Sequence, residues 1–120
     1  MRNSLWLIPA ILSLFTVAAS ACPIGSIELA SAEGKFCVEV EARPAIRNYK
    51  AAPICESIGG RLCSAEELRV ACESRELNGA GLAWEWSVSM DKYTSASLNG
   101  SCDALAFGEL TDHAALRCCK

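Results

Sequence analysis

Eight cysteines in 120 residues constrain this chain more than any other feature, and the last two, Cys118 and Cys119, stand side by side in the closing stretch ALRCCK. A single bond does not readily join neighbours, so each needs its own partner. Successive residues of a strand point to opposite faces, so the two thiols can reach different layers of a domain. The other six are Cys22, Cys37, Cys55, Cys63, Cys72 and Cys102. Cys63 and Cys72 lie on or beside one predicted helix, nine residues and ~13 Å apart along its axis. Bridged Cα atoms must come within ~7 Å, so these two cannot pair. Cys22 and Cys37 flank a predicted hairpin and are natural partners. For the remaining six, the preferred set joins Cys72 to Cys102, and joins Cys55 and Cys63 to Cys118 and Cys119 in either order. No C-x-x-C spacing occurs and His113 is the sole histidine, so a thiolate metal site is not expected.

The disulfides imply an oxidising compartment, and the N-terminus agrees. Arg2 is followed by the apolar run LWLIPAILSLFTV over residues 5–17 and by the small residues AASA over 18–21. This is the pattern of a cleavable export signal over residues 1–21. The run is short for a membrane span, which needs ~20 residues. No transmembrane segment is then expected after cleavage, and the protein is secreted or periplasmic. Lipid anchoring at Cys22 is the rival, disfavoured by Ala19 three places before it and by the even cysteine count. A single domain is expected over residues 22–120. Of 11 basic and 14 acidic residues only Arg2 falls in the leader, so the remainder carries a net charge of −4 and no basic run. Nucleic acid is not an expected partner.

Along the domain, Ile27 and Leu29, then Phe36, Val38 and Val40, alternate about the turn SAEG and predict a hairpin. Residues 45–60 look helical, with Tyr49, Ala52, Cys55 and Ile58 on one side. Pro53 implies that this helix starts near Ala51 or kinks there, and Gly59-Gly60 ends it. Ser64 and Glu67 form an S-x-x-E capping box, so a second helix starts at Ser64. Leu82, Trp84 and Trp86 share one side of a predicted strand. Asn99-Gly100 predicts a tight hairpin between the runs containing YTSASL and CDALAF, and HAALRCC a last strand. Hairpin, two helices and several antiparallel strands make an α+β domain.

Several of these segments, taken in order, resemble the formylglycine-generating, sulfatase-modifying-factor family. GGRLCSAEEL is similar to its G-x-R-L-P-T-x-x-E-W signature, AWEWSVSMDKY to V-W-E-W-T-x-D-x-Y, NGSC to G-G-S-W, ALRCC to G-F-R, and FCVEVEARP to F-x-I-x-x-x-E-V. The resemblance implies a C-type lectin-like fold, with two helices packed on irregular antiparallel sheets and stapled by disulfides. It matches Arg61 and Arg117 to family arginines and makes Trp84 and Trp86 core residues. Cys63 stands where the family has proline, and Leu68 where it has tryptophan. Catalytic members hold copper with a nearby pair of cysteines before the end of the chain. Here the interval 103–117 contains none, so the fold is carried over and the oxidase activity is not. The calcium-binding triplets E-P-N, Q-P-D and W-N-D of the lectins are absent too.

The expected role is therefore a non-catalytic binding or adhesion module for a glycan, peptide or protein, with no cofactor. Its contact face is expected on the loops 76–82 and 107–112. The alternatives are a small oxidase or redox enzyme of the same family, or a structural component of an envelope. No catalytic residue is assigned: His113 beside Asp112 lacks a nucleophile motif and reads as a surface-loop residue. Asp91, Asp103 and Asp112 are too scattered for a usual calcium loop. Glu85 reads as a solvated or hydrogen-bonded carboxylate opposite the tryptophans. Ser64, Glu67, Arg61, Trp84, Trp86 and Arg117 are structural expectations, the arginines seeking acceptors such as Glu66 and Glu67. Asn99-Gly100-Ser101 fits the glycan acceptor pattern.

Overall fold

The computed structural model describes residues 22–81, 83–88, 94–106 and 113–120. The expected leader 1–21, Leu82, Asp91, Tyr93, and the loop 107–112 with Asp112 lie outside the described residues.

Alternation in the first segment builds β1 (Ser26–Ser31) and β2 (Gly34–Glu39). Their register places Ile27 opposite Val38 and Leu29 opposite Phe36, so the apolar side chains meet across the pair on one face. Ala32 and Glu33 turn the chain, with the Glu33 amide donating to Ser31 Oγ at 3.0 Å. β3 (Arg43–Ile46) then leads into α1 (Asn48–Ser57).

α1 differs from its expected form. It begins at Asn48, not near Ala51, and includes Pro53. Proline removes the one N–H that would return to the Tyr49 carbonyl, and the helix is anchored elsewhere, by the bridge from Cys55. Its buried side is Ala51 and Cys55, four apart, whereas Tyr49 and Ile58 are 67% and 52% exposed. A strict spacing of three drifts around a helix of 3.6 residues per turn, so the expected row does not share a face. The end is a paired-amide stop: Gly60 N–H donates to the Cys55 carbonyl at 2.8 Å and Gly59 N–H to Glu56 at 3.0 Å, with Gly59 at φ 80°.

β4 (Arg61–Leu62) connects to α2 (Ala65–Ser74), which is capped at Ser64. The Glu67 amide donates to Ser64 Oγ at 3.0 Å, and the Ser64 amide donates to Glu67 Oε1 at 2.8 Å. The remaining strands are β5 (Glu85–Val88), β6 (Thr94–Ser97), β7 (Leu105–Ala106), β8 (Ala114–Leu116) and β9 (Cys118–Cys119).

Among the described residues nine strands form two sheets, ordered β1-β2-β9-β4 and β3-β8-β5-β6-β7. The fold is α+β, with two helices among the described residues, and the sheets are antiparallel except where β5 runs parallel to β8. The expected last strand is in fact two, and the break at Arg117 moves the chain from the five-stranded sheet to the four-stranded one. The expected tight turn at Asn99-Gly100 is a seven-residue loop, 98–104, between β6 and β7. Leu98, at φ 74°, turns its side chain into the core, and Cys102 is tied to α2, which together hold the loop wide.

Two apolar clusters form the core. Phe36, Val38, Leu68, Ala71, Leu77 and Leu98 pack with Cys63, Cys72 and Cys119. Ala51, Leu62, Trp86, Ala114 and Leu116 pack with Cys55 and Cys118. Cys119 and Cys118 thus enter different clusters. The order open in the sequence is Cys55–Cys118 and Cys63–Cys119, and the other bridges are Cys22–Cys37 and Cys72–Cys102.

Candidate functional site

An irregular described surface follows α2. Arg75 ends that helix in the left-handed conformation, φ 62°, with its amide donating to the Cys72 carbonyl at 3.2 Å. Leu77 then turns inward and is 7% exposed. Asn78 fastens the loop to the first hairpin: its amide donates to the Val40 carbonyl at 3.0 Å, and its side chain donates to Glu41 Oε2. Gly79 and Gly81 take φ of 75° and 88°, which lets the chain double back. The Gly100 amide donates to the Gly81 carbonyl at 2.9 Å, and the Cys72–Cys102 bridge ties the 98–104 loop to α2. Between the two loops lies an open cleft of about 370 Å³, lined by Leu77, Ala80, Arg75, Ser101 and the Cys72–Cys102 bridge.

Two other clefts are smaller. One of about 200 Å³ lies between the N-terminal hairpin and the end of α1, rimmed by the exposed Ile24 and Ile58. Two of its charges are paired, Arg43 Nε donating to Glu39 Oε1 at 2.9 Å, and Lys120 lines it as a further cation. Burial pushes the Glu39 carboxyl up, but the Arg43 guanidinium and the Cys118 amide outweigh it and hold it below the usual carboxylate range. The other, about 160 Å³, contains Glu66 and Arg69, which also pair.

The sequence-selected residues are placed as follows. Arg61 spans Glu67 with two hydrogen bonds of 2.7 and 2.8 Å, yet its own side chain is 49% exposed. Burial raises the Glu67 carboxyl, and Arg61 and Ser64 more than reverse this, so it lies below its ordinary value. Trp86 is buried and donates from Nε1 to the Ile46 carbonyl at 2.7 Å; Trp84 is half-buried against the same cluster. Neither lines the loop cleft. His113 and Asp103 are exposed. Among the described residues no group of three or more His, Cys, Asp or Glu side chains is placed to hold a metal. All eight cysteines are bridged, so a thiolate ligand would require opening a bridge.

Arg117 is fully buried and finds neither Glu66 nor Glu67. Its Nε donates to Glu85 Oε1 at 2.8 Å, and its other nitrogens donate to the carbonyls of Glu39, Val40 and Asn78. Glu85 is therefore hydrogen-bonded and not solvated, at 2% exposure. Burial pushes its carboxyl above the usual range against the pull of Arg117. The sequence reading did not single out Glu39, Asn78 or the Glu85–Arg117 pair. The only local signal was a carboxylate enclosed by two tryptophans.

No known family description, curated protein or solved structure matches this chain.

Proposed function

We propose that this chain is an exported, non-catalytic binding module of C-type lectin-like architecture, related to the sulfatase-modifying-factor proteins, whose ligand enters the cleft between the loops 76–81 and 98–104. Two helices, two irregular sheets and an end strand sewn to the first hairpin are compatible with that architecture. The segments carrying the resemblance fall on β4 and the start of α2, on β5, and on β8 with β9. The bridges agree with an oxidising, extracytoplasmic location, and no described helix is long and apolar enough to cross a membrane.

One observation carries the binding reading. The two irregular loops are fastened to the core by a disulfide, by the Gly100–Gly81 hydrogen bond and by Asn78, yet they leave a cleft of about 370 Å³ between them open. A preorganised concave surface limits the entropy lost on binding. Glycan and peptide arrays probed with the folded protein test it. Ser101→Trp plugs the cleft from an exposed position, and Ser57→Trp is a remote control. Captured ligands are expected to be lost with the first and kept with the second. Ligands that ignore the plug, or no captured ligand at all, would end this reading.

A further inference from the structure

The three clefts differ in charge. Those at Glu39 and Arg43 and at Glu66 and Arg69 contain their own ion pairs. The loop cleft contains Arg75 and no carboxylate, in a chain where acidic residues outnumber basic ones 14 to 11. Arg43, Arg61, Arg69 and Arg117 each hold a carboxylate, whereas Arg75 and Arg47 have no side-chain partner among the described residues, and of these two only Arg75 lines one of the three clefts. Its backbone adds a second observation. A side chain at φ 62° is strained where glycine is relaxed, and α1 of the same chain uses Gly59 for its left-handed turn. A cation near a helix C-terminus is favoured by the helix dipole, but one within the last turn gains that without a left-handed backbone. Helix termination alone does not explain arginine here.

The geometry points to a terminal carboxylate on a short aliphatic body, the end of a peptide chain, as the ligand of this cleft. This rests on the binding reading above. A guanidinium presents two parallel donors that match a carboxylate, and the exposed Ser101 hydroxyl lines the same cleft as a further donor. Leu77, Ala80 and the bridge sulphurs make the remaining wall apolar and small. No aromatic side chain lines it, so the platform on which a sugar ring would stack is missing. A cleft of about 370 Å³ suits one or two small residues.

The test titrates the fully bridged protein with tri-alanine, its C-terminal amide and glucuronate, following backbone amide resonances. Tri-alanine is expected to shift residues 75–81 and 100–102, and the amide to bind about tenfold more weakly or worse. Arg75→Gly is expected to raise the melting temperature by a few degrees while binding tri-alanine about tenfold more weakly. A gain in stability joined to a loss of binding separates a ligand role from a structural one. Equal binding of acid and amide, unchanged binding by Arg75→Gly, or a preference for glucuronate would each overturn the inference. If none of the three probes binds while array ligands remain blocked by Ser101→Trp, the carboxylate inference fails and the binding module stands. If the arrays are empty as well, both fail.

Discussion

Arg117 and Glu85 form an ion pair at the point where the chain crosses from one sheet to the other, with Nε 2.8 Å from Oε1 and both side chains closed to solvent. Arg117 is the residue between β8 and β9, and its guanidinium also reaches three main-chain carbonyls of the hairpin exit and the Gly-rich loop. The pair therefore connects both sheets to the loop that walls the candidate cleft. Coulomb attraction alone does not make a buried pair stabilising, because both ions lose water. Here the added hydrogen bonds offset part of that cost.

Arg117→Met is expected to destabilise the fold by about 3–5 kcal/mol, since it leaves Glu85 as an uncompensated buried charge. Adding Glu85→Leu removes the charge and should recover only part of the loss, because the carbonyls of Glu39, Val40 and Asn78 still lack their donor. A double-mutant cycle by urea denaturation measures this. Full recovery in the double variant would show that the carbonyl contacts contribute nothing.

The four bridges should differ in worth. Cys22–Cys37 closes 15 residues within an already paired hairpin, while Cys63–Cys119 and Cys55–Cys118 close 56 and 63 and lie in the core. Loop-closure entropy gives about 3 kcal/mol for the first and about 4 kcal/mol for each of the others. Replacing Cys22 and Cys37 by alanine should leave a folded protein with a lower melting temperature. The same change at Cys63 and Cys119 should abolish stable folding at 37 °C. Peptide mapping under non-reducing conditions should find Cys118 joined to Cys55 and Cys119 to Cys63; the reverse order would contradict the two-cluster arrangement.

What was legible in the sequence is what is encoded locally. Ser64 and Glu67 lie three residues apart and specify the start of α2 without outside help. The hairpin face follows from alternation, and the impossibility of a Cys63–Cys72 bridge follows from helix rise alone. What was hidden depends on partners far along the chain. The Arg117–Glu85 pair spans 32 residues and the Arg117–Val40 contact 77, so no spacing rule points from one residue to the other. Arg61 does have its acceptor six residues away, at Glu67. Asn99-Gly100 carries the local signal of a tight turn, but the bridge to Cys102 and the burial of Leu98 hold a wider loop. Tertiary ties outweigh a turn preference at that point. For the cleft, the glycines at 79 and 81 marked a loop, whereas the isolation of Arg75 is visible only when every other arginine near a cleft is seen to be paired.

Gly60 meets the end strand with no room to spare: a Cβ there would stand 2.7 Å from the Cys119 carbonyl oxygen, a backbone atom held by β2, β4 and a bridge. Gly59, by contrast, has open space but a left-handed φ of 80°. Gly59→Ala should cost about 1 kcal/mol, the ordinary penalty for that backbone. Gly60→Ala should cost about 1–3 kcal/mol through displacement of β9. Chemical denaturation ranks them; an equal or smaller cost at Gly60 would mean that β9 yields easily.

Acid titration distinguishes the carboxylates of Glu39, Glu67 and Glu85 by sign. Glu39 and Glu67 have folded values below the ordinary glutamate range, once their hydrogen-bonded arginines and amides outweigh burial. Their stabilisation is complete above that range and is lost as pH falls through it towards the lowered folded values. Glu85 is shifted upward by burial, so its folded form holds a proton more tightly than the unfolded chain does. Its contribution therefore grows as pH falls from that raised value into the ordinary range, opposing the other two. Glu67→Gln should lower stability at neutral pH and flatten its decline in acid, while Glu85→Gln should steepen that decline. Melting temperatures from pH 7 down to pH 3 read both slopes. A Glu67→Gln curve parallel to the parent would show that the Arg61 and Ser64 contacts do not hold that carboxylate ionised.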